Sequence, residues 1–277
     1  HVDGRAVRGV LYFVRLHTEM SELADRVREK KDRDTEKAEA KSGFRPPAVE
    51  PLPEKDHTRT RANKRLVKEL VEADDEDALV SLCLDDRKTL RLMQRLLYDP
   101  VEEKRWKIAW LLGRVGARVA TRDPGQVSQL LHRLFEACAD SAATPWGMIE
   151  TIGSVVAARP DIFGAFTTHL LGFVGADSMR VQVIWALAEI AKSRPDLVRE
   201  TPFYSMFHFL SHPDAEVRGH LARLLGRIEA TEATMQLMGL HQDSAEITIW
   251  EDGEPLRTTV AEQAARAIKR IQGSKEK

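Results

Sequence analysis

The feature that most constrains this sequence is a helical phrase that recurs at intervals of about 35 to 43 residues. This interval is typical of a repeated unit of two helices. Such a unit cannot bury its own apolar face, so neighbouring units must stack into a rod. A small residue stands at the same place in the first four copies. The copies cover residues 106–116, 146–156, 181–191, 217–228 and 260–271, with Gly113, Gly153, Ala188, Gly226 and Lys269 at the matched place.

One segment departs from the helical pattern. Residues 247–250 alternate and are rich in β-forming side chains, residues 251–254 have a tight-turn composition, and residues 256–259 can form a second strand. The pattern predicts a small β-hairpin between the two helices of the last unit. We interpret this hairpin as a decorated loop, and a lid over the terminal unit is the alternative.

The first part of the chain has a different composition from the repeats. Residues 20–62 are almost entirely charged and small, with clustered prolines, and bury too little apolar surface to offset chain entropy. We therefore expect residues 1–62 to form a disordered arm and residues 63–273 to form the repeat domain. The chain begins with His1. If translation starts at Met20, residues 1–19 are not native, and a fragment or an extended reading frame are the alternatives.

The overall composition restricts the classes of partner. The chain has 42 basic and 43 acidic residues and a formal net charge of −1. A general nucleic-acid binder normally has a basic excess, so nucleic acid is not expected as a partner. The longest apolar stretch near the start, residues 9–14, is too short to cross a bilayer, and no membrane association is expected. Cys83 and Cys138 form no CxxC pair, which predicts buried reduced thiols and a cytoplasmic location.

The best copy of the phrase carries a resemblance to a known repeat class. The sequence HPDAEVRGHLARLLGRI at residues 212–228 has the pattern D-x-x-V-R, then small and apolar positions that end in L-G-x-I. It resembles the HEAT-like repeat shared with phycobilin-lyase proteins, and this resemblance covers residues 87–273. The chain as a whole is similar to small bacterial HEAT-repeat proteins. It implies an all-α fold, a right-handed α-solenoid of about five HEAT-like helix pairs with the hairpin in the last unit. HEAT arrays serve many functions, so the resemblance does not indicate an activity.

In the second helix of each unit, one stripe of residues at i, i+4 and i+8 is not part of the predicted core. We call these stripes together the band. Equivalent positions in stacked units should lie side by side, so Trp110, Glu150, Trp185 and Arg223 are expected to form a ladder. We favour burial between repeats for Trp106 and Trp146, and partial exposure for Trp110 and Trp185. Tryptophan and arginine dominate binding hot spots. The band therefore predicts a partner-binding surface made by Trp106, Trp110, Arg114, Trp146, Glu150, Trp185, Glu189, Arg223 and Arg227.

These features favour a non-catalytic scaffold or adaptor that binds another protein or peptide on the inner face. The alternative is an enzyme or cofactor handler on the same fold, either a tetrapyrrole lyase or chaperone, or an alkyl-base DNA glycosylase that uses Trp185 and Glu189. A di-iron hydroxylase of this architecture would need His-Glu pairs, and the sequence contains no His-Glu dipeptide. No catalytic residue, cofactor or metal ligand is assigned. His208 and His212 are interpreted as structural or surface residues instead of zinc ligands.

Overall fold

The structure is a computed structural model. It describes residues 47–54, 58–140 and 144–275, together with residues 22, 25, 26, 29, 30, 33 and 34, which are helical. The chain divides into two units, residues 1–46 and 47–277. The expectation about residues 1–19, and most of the expectation of a disordered arm, therefore lie outside the described residues.

The second unit is mostly helical and carries one two-stranded antiparallel sheet among its described residues. This confirms a helical fold with an inserted hairpin. The α-helices are α1 (Lys64–Glu72), α2 (Glu76–Asp85), α3 (Lys88–Arg95), α4 (Glu102–Val119), α5 (Pro124–Ala139), α6 (Met148–Ala158), α7 (Pro160–Phe163), α8 (Phe166–Leu171), α9 (Arg180–Ser193), α10 (Pro195–Arg199), α11 (Ala215–Arg227), α12 (Thr234–Met238) and α13 (Val260–Lys275). Two 3₁₀ segments, Phe203–Ser211 and Thr231–Ala233, precede α11 and α12, and the strands are β1 (Glu246–Glu251) and β2 (Glu254–Thr259).

The helices that contain the recurring phrase contact one another in chain order. Helix α4 packs against α6, α6 against α9, α9 against α11, and α11 against α13, and we call these five helices the central row. The remaining segments pack on individual members of the row: α5 on α6, α8 on α9, the 3₁₀ segment Phe203–Ser211 on α11, and α12 on α13. Each repeat therefore contributes one helix to a continuous row and covers it with a preceding segment.

Repeated local sequences form repeated local structure. The Arg-Pro-Asp sequences at residues 159–161 and 194–196 both begin short helices, with Pro160 and Pro195 in the first turn. Proline suits this position because its missing N–H has no partner inside the helix and its φ is already helical. In each sequence the arginine pairs with the aspartate, at 3.1 Å and 2.7 Å. The two phrases are therefore equivalent in structure as well as in spacing.

Small residues let consecutive helices of the central row approach closely. A Cβ added at Gly153 of α6 would lie 2.5 Å from Cβ of Ala186 in α9. A Cβ at Gly226 of α11 would lie 2.6 Å from Cα of Ala267 in α13. Atoms in contact do not approach this closely, so a larger side chain at either glycine would force the helices apart. The small residue of the phrase therefore permits close approach of the row helices at both contacts.

The predicted hairpin is present, but it is more than a decorated loop. Asp252 and Gly253 form its two-residue turn with φ values of 51° and 76°, the backbone twist that suits a tight hairpin. The strands pack on both α11 and α4, which lie at different positions in the central row. Ile247 and Ile249 of β1 are buried. The hairpin therefore connects two helices of the row that do not follow one another in the chain.

The compact unit begins before the expected boundary at residue 63. The carbonyl of Pro51 accepts a 2.7 Å hydrogen bond from Nη2 of the buried Arg118. The backbone N–H groups of Thr60 and Ala62 donate to the carboxylates of Asp85 and Asp86, at the C-terminal end of α2, at 3.1 Å and 2.9 Å. The described residues of 47–62 are therefore held against the helices instead of belonging to a disordered arm.

Two further expectations concern membranes and thiols. Within the described part of the chain, none of the helices is both long enough and apolar enough to cross a bilayer. Cys83 and Cys138 are free and buried, as expected. Burial raises the pKa of the Cys83 thiol far above its usual range and that of Cys138 to about 12.

The contact at Gly153 gives a test of the row. We expect Gly153→Ala to lower the free energy of unfolding by about 1–3 kcal/mol, because the new methyl group meets the main chain of α9. Gly273→Ala is the control, since a Cβ there meets no described heavy atom within 4 Å. It should leave stability unchanged or raise it by up to about 1 kcal/mol through helix propensity. Urea denaturation measures both, and a Gly153→Ala variant as stable as the control would contradict the close contact.

Candidate functional site

Three tryptophans join the hairpin to the central row. The Trp106 ring of α4 meets the Trp185 ring of α9 edge-on, with centroids 4.5 Å apart, and stacks on Trp250 of β1 at 5.5 Å. The Trp185 indole N–H donates a 2.8 Å hydrogen bond to the backbone carbonyl of Trp250. All three side chains are buried. Expected burial is thus confirmed for Trp106, whereas the expected partial exposure of Trp185, which is only 5% exposed, is wrong.

The hairpin turn reaches the next tryptophan of the band. A Cβ at Gly253 would lie 3.1 Å from Cδ1 of Trp110, so this turn places the backbone directly on the indole. Trp110 remains half-buried, as expected. The Arg114 guanidinium lies 5.2 Å from the Trp110 ring centroid and pairs with Asp74 at 2.8 Å. Trp110 and Arg114 therefore lie at one edge of the covered surface.

Charged side chains hold the other edge of the hairpin. Glu189 of α9 accepts from Arg223 at 2.5 Å and from Arg227 at 3.3 Å, both on α11. Glu251, the last residue of β1, lies 3.4 Å from Arg223 and 3.8 Å from Arg227. Arg227 also donates to the Ala188 carbonyl at 2.6 Å. These residues of the predicted band do come together, but as an ion-pair network that the hairpin completes.

Trp146 and Glu150 are not part of this assembly. Trp146 was expected to be buried and is 39% exposed, with the Arg105 guanidinium 5.0 Å from its ring centroid. Glu150 is buried near the start of α6. Burial raises the pKa of the Glu150 carboxyl to about 7, against the opposing effect of hydrogen bonds from the backbone N–H groups of Glu150 and Gly147. The predicted ladder is therefore offset: Trp185 meets the Trp106 ring, and Ser154 instead of Glu150 lines the cavity that these rings share.

An open cavity of about 440 Å³ lies between the central row and the hairpin turn. Most of its walls are indole rings and small side chains from α4, α6 and α9, and we call it the tryptophan cavity. Glu189 and Lys192 add charge to its lining, and Asp252 and Gly253 of the turn close one side. Its lining residues are Trp106, Trp110, Ser154, Ala157, Ala158, Trp185, Glu189, Lys192, Ser193, Asp252 and Gly253.

The sequence analysis missed the contribution of the hairpin residues. Trp250, Glu251 and Gly253 contact the band, although they lie outside the recurring phrase. Gly219 could have indicated that the hairpin approaches here, because the copy at residues 217–228 has glycine where the earlier copies have tryptophan or valine. A Cβ there would collide with the Ile247 side chain of β1. The missing side chain thus marks where the hairpin approaches α11.

Metal and histidine chemistry receive no support from the described residues. No group of three or more His, Cys, Asp and Glu side chains among them could hold a metal ion. His212 lies 3.2 Å from Nη1 of Arg180, and its Nδ1 accepts from the Asp214 N–H at 3.0 Å. His220 is buried, and burial lowers its pKa to about 4. These histidines have structural contacts.

Comparisons with known proteins concern the fold. No protein-family model and no curated protein match the sequence. The chain is similar in structure to an engineered protein whose crystal structure comes from the Northeast Structural Genomics Consortium. The two share 14% sequence identity at a TM-score of 0.50, over 76% of this chain and 90% of the engineered chain. At this identity the similarity supports a shared helical fold and carries no information on function.

The buried Glu150 carboxyl predicts a specific pH dependence. Its folded pKa of about 7 exceeds the ordinary value of 4.5, so the native state binds the proton more tightly, and stability falls as pH rises from 4.5 to 7. We expect Glu150→Gln to remove this loss and to be more stable than the parent at pH 8 by up to about 3 kcal/mol. The difference should shrink toward pH 5. Urea denaturation at both values tests it, with the exposed Glu103→Gln as control, and an equal effect at both pH values would contradict it.

The stacking of Trp250 predicts that one side chain anchors the hairpin. We expect Trp250→Ala to cost about 3 kcal/mol or more of unfolding free energy, because it removes a buried indole and its contact with Trp106. Hydrogen exchange of the amides of residues 246–259 should accelerate. Trp146→Ala removes an exposed tryptophan and should cost less than about 1 kcal/mol. Equal losses in the two variants would show that the hairpin is not held by the tryptophan contacts.

Proposed function

We propose that the protein is a non-catalytic scaffold or adaptor that binds another protein or peptide beside the hairpin. In this proposal the chain is a right-handed α-solenoid of about five HEAT-like units. The ordered contacts of the central row support it, since each row helix packs mainly on the row helices of adjacent units. The hairpin covers part of the band, so the partner site is narrower than the whole inner face.

The tryptophan cavity is the observation that carries the proposal. Its volume of about 440 Å³ lies within the range of roughly 300–1,000 Å³ that is usual for ligand pockets. The half-buried Trp110 offers an aromatic wall, held by the Arg114 guanidinium. A concave apolar site with a rigid aromatic and charge nearby is the type of surface that accepts an anchoring side chain from a partner. We therefore assign the partner contact to Trp110 and the cavity beside it.

The remaining members of the predicted band have different roles in this proposal. Arg223 and Arg227 pair with Glu189 and also contact Glu251 of the hairpin. We therefore assign these residues to holding the hairpin instead of contacting the partner. Trp106 and Trp185 form the buried wall of the cavity. Trp146 is exposed but does not line the cavity. The partner is thus expected to contact only a subset of the residues that the sequence marks.

The enzyme or cofactor-handling alternative has less support. A DNA glycosylase that uses Trp185 and Glu189 needs an accessible indole and a free carboxylate. The Trp185 N–H is bonded to the Trp250 carbonyl, and Glu189 is paired with two arginines. A tetrapyrrole would have to enter a cavity that the hairpin turn partly closes. The Trp185 indole and the Glu189 carboxylate are therefore not arranged for the roles that a glycosylase would require of them.

The role of Trp110 can be tested with a matched pair of tryptophan variants. A partner captured by the full chain is identified, purified and measured by calorimetry against each variant. We expect Trp110→Ala to weaken binding at least about tenfold, since aromatic hot-spot residues contribute this much or more. Trp146→Ala, also a tryptophan beside an arginine but outside the cavity, should bind as the parent does.

Four outcomes would contradict the proposal. Unchanged affinity of Trp110→Ala, together with a native circular dichroism spectrum, would place the partner elsewhere. Loss of affinity in Trp146→Ala alone would do the same. A tetrapyrrole chromophore retained by the purified protein, or salt-sensitive DNA binding, would favour the alternative class.

A further inference from the structure

A second cavity, of about 140 Å³, lies between α11, the end of β1 and α13. Four arginines contribute to its lining, and we call it the arginine cavity. Gly226 and Ala267, at the close contact between α11 and α13, form part of its wall. Its polar lining residues are Arg223, Arg227, Glu251, Gln263, Arg266 and Arg270.

The charges around the arginine cavity do not balance. The carboxylate of Glu189 pairs with Arg223 and Arg227, and Glu251 lies at the longer distances of 3.4 Å and 3.8 Å from the same two guanidinium groups. Arg266 and Arg270 have no ion pair with any described residue, although they lie one turn apart on α13. Like charges at this spacing repel. Four guanidinium groups and two carboxylates therefore leave an excess of about two positive charges.

One of the lining arginines, Arg223, carries a buried donor that lacks a partner. The Arg223 side chain is only 5% exposed, so water does not reach its Nη1 atom. This atom has no hydrogen-bond partner among the described residues. Leaving a buried donor unsatisfied costs free energy, so native proteins rarely do so without a reason. Burial, and then the Arg223 charge, lower the pKa of Arg227. An anion held by the guanidinium groups that line the cavity would offset the repulsion between Arg223 and Arg227.

We propose that the arginine cavity binds a phosphate group, either as the free ion or as a small phosphomonoester. The planar donors of guanidinium groups match the oxygens of phosphate, and the excess charge matches a dianion. The small volume suits one tetrahedral group with few neighbouring atoms. This proposal does not rest on the partner-binding function.

Glu251 is the internal competitor for this site. Its side chain is 49% exposed and its contacts are longer than those of Glu189, so it is the more weakly held carboxylate. An arriving phosphate takes over the donors that face Glu251 and repels its carboxylate. The effect of replacing Glu251 should therefore be opposite in sign to the effect of replacing the arginines.

The test measures binding of inorganic phosphate and of O-phosphoserine to the full chain by calorimetry at low ionic strength, where screening is weak. We expect Arg266→Gln with Arg270→Gln to weaken phosphate binding at least about tenfold, because charge-assisted hydrogen bonds are lost. These side chains are exposed and lack ion pairs among the described residues, so the fold should survive. Glu251→Gln should bind phosphate several-fold more tightly than the parent.

Arg65→Gln, an exposed arginine on α1, is the control and should bind as the parent does. Preference for phosphate over O-phosphoserine would assign the site to the free ion, and the reverse preference would assign it to a phosphomonoester. Absence of phosphate binding by the parent would overturn the proposal. So would equal losses in the arginine variant and the control, or weaker binding by Glu251→Gln. None of these results depends on whether Trp110 binds a protein.

Discussion

Close contact between consecutive helices of the central row is the constraint on which the other features depend. Gly226 allows α11 to meet α13 at the main chain of Ala267. Strand β2 runs directly into α13, so the position of α13 fixes where the hairpin leaves the row. The Gly219 position then accommodates Ile247, and the hairpin lies down on α11. Small side chains thus determine which surface is covered, because backbone contact leaves little freedom for the elements that follow.

Local and repeating features are those that the sequence predicts well. The spacing of the phrase predicts the helices of the central row and the small residues at their contacts, because a helix repeats its faces every few residues. The Arg-Pro-Asp sequences predict helix starts, since proline suits the first turn. The turn at Asp252 and Gly253 predicts the hairpin. In each case the physical cause acts over a few residues and is visible in the letters themselves.

The site was predicted less well, because periodicity identifies a face but not what covers it. Trp185 belongs to the band by spacing, yet its hydrogen-bond partner is Trp250, 65 residues further on. Arg223 and Glu189 also belong to the band by spacing, but the distant hairpin residue Glu251 completes their ion-pair network. Trp146 shows the opposite error, because it lies just before α6 begins and escapes the packing of the row. Contacts between residues so far apart in sequence depend on how all the helices of the row are aligned. An offset of one helical turn between two helices changes each of these contacts.

The hairpin also gives the two cavities a common wall. Gly253 of its turn lies on Trp110 and lines the tryptophan cavity, and Glu251 lines the arginine cavity. These residues are two positions apart on one short ribbon, which cannot bend freely between them because the turn is tight. If a phosphate displaces Glu251 and a partner contacts Trp110, each ligand acts on the position of the same element. Any resulting coupling must be reciprocal, so phosphate would change the affinity for the partner by the same factor as the partner changes the affinity for phosphate.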